Sequence, residues 1–129
     1  MARLLIVDDS VTVRLALGRA VRELGHEHRM ATTLQEAVDE VEAERPDLIL
    51  LDVMTGDWGL MIRMHQQADP VPILLFSGRS ESTLQIAGRD VGARRIVHKG
   101  APLAVIQEAI EAALRERGAR ADSETDCEL

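Results

Sequence analysis

Between residues 47 and 52 the chain reads Asp-Leu-Ile-Leu-Leu-Asp, with Pro46 before it and Gly56 shortly after. Four consecutive apolar residues are too few for a helix, and a run without polar alternation describes a strand buried on both faces. Its last residue, Asp52, is a carboxylate. In an open parallel α/β sheet the ligand crevice lies outside the carboxyl ends of the strands, so Asp52 stands where chemistry is usually done. Leu4-Leu5-Ile6-Val7 is a second run of the same type, and it ends in Asp8-Asp9. Two neighbouring strands with these ends bring three carboxylates to one edge of a sheet.

The rest of the chain supplies the layers such a sheet needs. Ser10 or a neighbour caps a helix carrying Val13, Leu17, Ala20 or Val21, and Leu24 at helical spacing, and Gly25 stops it. The polar segment 26–31 suits an edge strand. Thr33 with Glu36 three residues on is a capping box for a second helix, whose stripe is Leu34, Ala37, Val38 and Val41 and which Pro46 closes. Beyond Asp52, Leu60, Met61 and Met64 mark a short third helix. Ile73-Leu74-Leu75-Phe76 is another strand, ending in Ser77. Leu84, Ala87 and Val91 keep a helical period that Gly88 interrupts. Arg95-Ile96-Val97-His98 is a last strand, leading into Lys99-Gly100. Pro102 opens a final helix with Leu103, Ile106, Ile110, Ala113 and Leu114 inward, and Gly118 ends it. Five strand signals alternate with five helix signals, so the expected architecture is a doubly wound five-stranded parallel sheet with five helices. The expected organisation is one domain over residues 1–118 and a disordered acidic tail over 119–129.

Bulk properties narrow the function classes. With 129 residues the chain is the size of one domain, and 15 basic against 22 acidic residues give a net charge of −7. That balance argues against a nucleic-acid-binding surface. The single cysteine, Cys127, excludes a disulfide framework and suits a reducing cytoplasm. No apolar run is long enough to span a bilayer, so neither a membrane anchor nor a signal peptide is expected.

Three acids crowded at one edge repel each other, and a divalent cation resolves the repulsion. An all-oxygen site with few protein ligands suits Mg²⁺, which keeps much of its hydration shell. A carboxylate beside such a metal can attack a phosphoryl group to give an acyl phosphate. In that chemistry Lys99 supplies a positive charge for one phosphoryl oxygen and the Ser77 hydroxyl a hydrogen bond for another. Taken singly, each residue has a plainer reading: an acid at a strand end is commonly a helix cap, Ser77 a cap, Lys99 a solvated charge. The constellation is more specific than its parts.

Those residues carry a resemblance to the response regulator receiver domain of two-component signalling, over roughly residues 2–117. The motifs are Leu-Ile-Val-Asp-Asp-Ser at 5–10, Pro-Asp-Leu-Ile-Leu-Leu-Asp at 46–52, Ser77-Gly78, Gly92-Ala93 and Val-His-Lys at 97–99. The resemblance implies the flavodoxin-like receiver fold and an Mg²⁺ site formed by Asp8, Asp9, Asp52 and the backbone carbonyl of Met54. It also implies that Asp52 accepts a phosphoryl group from a histidine kinase or histidine phosphotransfer protein, that Ser77 turns toward it and that Lys99 bridges to it. The chain departs from the family pattern at three places. The loop 54–59 lacks the usual proline and looks one residue shorter, Ile96 stands at a switch position usually aromatic, and Gly100 follows the lysine where proline is common. A single-domain regulator is expected, cytoplasmic, monomeric or weakly dimeric. Its output would be protein binding on the face from Leu84 to Leu114, with no nucleic acid and no membrane insertion. The alternative expectation is a receiver-like scaffold that binds partners regardless of phosphorylation, motivated by Ile96 and the short loop.

Overall fold

The computed structural model describes residues 1–52, 71–77, 95–98 and 101–127. Within them the elements are β1 (Arg3–Val7), α1 (Val11–Glu23), β2 (Glu27–Ala31), α2 (Leu34–Ala43), β3 (Leu48–Asp52), β4 (Ile73–Ser77), β5 (Arg95–His98) and α3 (Leu103–Cys127). The strands form a single parallel sheet in the order β2-β1-β3-β4-β5. From β1 the chain first steps outward to β2 and later returns to the other side of β1 for β3. The reversal of direction lies between β1 and β3, and that is where a doubly wound sheet opens its crevice.

Strand alternation divides the core in two. Leu5, Val7, Ile49, Leu51, Ile73 and Leu75 share one cluster with Leu34, Ala37, Val38 and Val41 of α2. Leu4, Ile6, Leu48, Leu50, Leu74 and Phe76 share the other with Leu17 and Val21 of α1 and Ile106, Ile110 and Ala113 of α3. Successive side chains of a strand point to opposite faces, so an uninterrupted apolar run is required where helices cover both. β2 pairs with one neighbour only, which is why Glu27-His28-Arg29 can be polar.

Local chemistry sets the helix ends. Ser10 caps α1, its hydroxyl oxygen accepting from the Val13 N–H at 3.3 Å. Gly25 takes φ +85° after the last turn, a conformation that disfavours a side chain. Thr33 caps α2, accepting from the Glu36 N–H at 3.1 Å, while the Glu36 carboxylate reaches back to the Thr32 N–H at 2.8 Å. The reciprocal bond thus falls one residue before the cap. On α1, Gly18 lets the helix close on β2: a Cβ there would lie 2.8 Å from Met30 Cε and 2.9 Å from His28 Nε2.

Two expectations about the last helix are corrected. Its backbone runs to Cys127 and does not stop at Gly118. One glycine inside a helix costs about 1 kcal/mol relative to alanine, which slows a helix but does not end it without a cap or a following proline. Leu103 is 42% exposed and not part of the core, because the inward stripe begins one turn later at Ile106. The helices read around Leu60–Met64 and Leu84–Val91 lie outside the described residues. No helix among the described residues is long and apolar enough to cross a membrane.

His28 gives the fold a pH dependence. Burial against α1, and then the positive charge of Arg22, hold its imidazole below the ordinary value of 6.5. The unfolded chain therefore takes up the proton first as pH falls. This contribution to stability is intact above pH 6.5 and declines below it until the folded imidazole also protonates. Urea midpoints at pH 7.5 and pH 5.5 are expected to differ less for His28→Gln than for the parent chain; an equal difference refutes the assignment.

Candidate metal and phosphoryl site

The site is assembled by strand register. β1 and β3 pair with Val7 opposite Leu51, so one step further Asp8 comes beside Asp52 at the carboxyl edge of the two central strands. Both belong to the even-numbered series that faces α1 and α3. Carboxylate oxygens of Asp8, Asp9 and Asp52 all lie within 4.8 Å of one another. Asp8 is wholly buried, Asp52 is 8% exposed and Asp9 is open to solvent. Among the described residues, two of the acids are thus buried and the third stands at the surface.

Asp8 is fixed from three directions. Its N–H donates to the Ala31 carbonyl at 3.1 Å, extending the β1–β2 ladder by one bond. One carboxylate oxygen accepts from the Ser10 N–H at 2.8 Å, and the Asp8 carbonyl accepts from Arg14 Nη1, also at 2.8 Å. α1 starts at Val11, directly after the acids, so its N-terminus faces the same edge. The partial positive charge of a helix N-terminus attracts negatively charged groups.

Oxygen donors at this spacing suit a hard divalent cation, because carboxylates hold Mg²⁺ or Ca²⁺ in all-oxygen shells. The acid cluster read from the sequence is therefore brought together. β4 and β5 place the other strand ends along the same edge: Ser77 is the last residue of β4, one step beyond Phe76, which pairs with Asp52, and it pairs with His98 at the end of β5. Ile96 lies within β5, opposite Leu75. Met54 and Lys99 lie outside the described residues. Sequence reading missed Arg14, which lies about one turn into the helix that leaves the acids. It also missed the exposed apolar residues Val11 and Leu15 on the first turns of that helix.

Comparison with known proteins agrees with this arrangement. The family model for the response regulator receiver domain matches residues 4–111. The KDP operon transcriptional regulatory protein KdpE of Escherichia coli is 35% identical over 121 residues, covering 92% of this chain and 54% of that protein. The response regulator MprA of Mycobacterium avium is 32% identical over 126 residues, covering 95% of this chain and 55% of its own length. The chain thus spans about half the length of these curated relatives. NtrX from Brucella abortus superposes with a TM-score of 0.89 at 25% identity, over 96% of this chain and 28% of that one. A CheY-like receiver domain protein from Methanospirillum hungatei superposes at 0.84 with 22% identity, over 93% of this chain and 98% of that one, a likeness of fold. With a motif-bearing match over most of its length and the acids at the switch point of the sheet, the chain belongs to the response regulator receiver domain family.

Proposed function

We propose that this chain is a phosphoryl-accepting switch in which Asp52 takes a phosphoryl group from a histidine kinase or histidine phosphotransfer protein. The observation that carries this reading is the triad of Asp8, Asp9 and Asp52, gathered at the edge where β1 and β3 diverge. Asp52 is the nucleophile. One of its oxygens bonds to phosphorus as the bond to the donor imidazole nitrogen breaks, and the imidazole leaves to be reprotonated from solvent. Asp8 and Asp9, with Asp52 and the carbonyl of Met54, would hold Mg²⁺, which when bound would supply positive charge to neutralise the phosphoryl oxygens. Ser77 and Lys99 take up the remaining phosphoryl oxygens, and Ile96 occupies the position through which the change reaches β5. An aliphatic side chain cannot swing as an aromatic ring does, so the movement of β5 is carried by repacking.

The domain that does this ends near residue 118, and α3 continues beyond it. Partners divide between two surfaces. Among the described residues, Val11 and Leu15 on α1 and Leu103 and Val105 on α3 are exposed apolar residues on the first turns of their helices, Leu15 at 63% exposure. Exposed apolar side chains beside a buried nucleophile suit docking of the phosphodonor. The output partner takes the face from Leu84 to Leu114. The curated relatives carry names of transcriptional regulators and are about twice as long. Output here is protein binding, in keeping with a net charge of −7.

Three outcomes are expected. Intact mass after incubation with acetyl phosphate and Mg²⁺ shows a labile phosphoryl adduct on the parent chain and none on Asp52→Asn or without Mg²⁺. No adduct under any condition supports the phosphate-independent scaffold instead. Asp9→Asn removes one of three mutually repelling charges, so its metal-free melting temperature rises, by an amount corresponding to roughly 1 kcal/mol. Saturating Mg²⁺ then adds less stability to it than the about 2.7 kcal/mol expected for the parent chain at one hundred times the dissociation constant. Leu15→Asp slows transfer from a histidine phosphodonor protein about ten-fold while labelling by acetyl phosphate is unchanged; equal slowing of both would place Leu15 in the chemistry and not in docking.

A further inference from the structure

We propose that the open edge of β2 binds an extended acidic peptide as an added strand, its carboxylates on the α1 side of the sheet toward Arg22 and His28. This surface lies apart from the acidic site and does not depend on how that site is read.

The backbone of β2 is used on one side only. At its start the Glu27 N–H donates to the Ala2 carbonyl at 2.9 Å, and at its end the Ala31 carbonyl accepts from the Asp8 N–H at 3.1 Å. Alternate residues of a strand turn their N–H and C=O groups to the same side. Glu27, Arg29 and Ala31 therefore serve β1, while His28 and Met30 turn theirs to the edge, where no strand follows among the described residues. A cavity of about 450 Å³ adjoins the first half of β2. Arg22, His26 and His28 line it from the α1 side and Glu27, Arg29 and Glu44 from the α2 side, so it wraps the strand.

Charge separates the two sides. On the α2 side the arginines are taken: Arg29 meets Glu40 at 2.8 Å and Arg3 meets Glu27 at 3.5 Å. On the α1 side the carboxylates are taken: Glu111 by His26, and Glu23 by Arg19 and Gln107. Arg22 is exposed and forms no ion pair among the described residues. It stands close enough to His28 for its charge to lower the imidazole. An added strand points alternate side chains to opposite faces. Acids at every second position thus all meet the Arg22 side, and neutral residues between them meet the closed ion pairs. A second copy of the chain fits less well, because antiparallel pairing of β2 with itself keeps like faces together and turns Arg22 toward Arg22.

Amide exchange of the full chain, followed by nuclear magnetic resonance, tests this with the capped peptide acetyl-Glu-Thr-Glu-Thr-Glu-Thr-amide. At saturating peptide, exchange at His28 and Met30 is expected to slow about ten-fold, and at Glu27, Arg29 and Ala31 by less than about two-fold. The counterpart with lysine in place of glutamate is expected to leave all five unchanged. His28→Pro removes the outward N–H, a change an edge strand tolerates, and is expected to bind about ten-fold more weakly than His28→Ala, which keeps that donor. If His28→Pro does not fold, Arg22→Glu on the exposed face of α1 carries the test with a loss of similar size. Equal slowing by both peptides, slowing by neither, or undiminished binding by His28→Pro or Arg22→Glu overturns the proposal. Slowing at His28 and Met30 that grows with protein concentration in the absence of peptide assigns the edge to a second copy and overturns it as well.

Discussion

The parallel pairing of β1 with β3 is the constraint on which the site depends. Both strands are buried on both faces, so a register slip of one residue would turn each apolar set toward the wrong helix layer. The same register that satisfies the core sets Asp8 level with Asp52. The positions of Asp8 and Asp52 are therefore inherited from the packing of Ile6, Val7, Leu50 and Leu51. The strand order reverses between β1 and β3, and in a doubly wound sheet that is the point where the ligand crevice lies.

That placement creates an electrostatic conflict. Three carboxylates share a volume that the core would otherwise leave dry, in a chain of net charge −7. The protein offsets the conflict partly with its own groups: the N–H of Ser10, the N-terminus of α1 and the guanidinium of Arg14 all stand at the acidic edge. Three carboxylate oxygens at this spacing are also a set that could hold a divalent cation.

The two faces of the sheet differ in kind. α2 covers one with a closed aliphatic cluster, whereas α1 and α3 cover the other and carry exposed apolar residues at their first turns. Asp52 belongs to the second face, so it lies on the same side of the sheet as those exposed residues. The contacts that join this side into one unit are polar as well as apolar: Gln107 of α3 donates to the Ala20 carbonyl at 3.3 Å, and His26 meets Glu111 at 2.7 Å. The Ala2 N–H donates to the other ring nitrogen of His26, leaving its Nε2 hydrogen for Glu111.

Local pattern by itself determined the elements. The runs Leu4–Val7, Leu48–Leu51 and Ile73–Phe76, the cap at Ser10 and the capping box at Thr33 were legible because each depends on neighbours in sequence. The acids at the strand ends were legible for the same reason, and a parallel sheet assigns strand ends to one edge. What local pattern could not specify was anything settled by distant partners. The extent of α3 was misjudged because a glycine was read as a stop without its capping bonds, and Leu103 because only packing decides where an inward stripe begins. Arg14 left no periodic or motif signal, since its bond is to a carbonyl and every residue has one. Tertiary structure alone decided which acid is buried, which is exposed and how close they come. Burial and distance are properties of chains folded against each other, and no run of neighbouring residues encodes them separately.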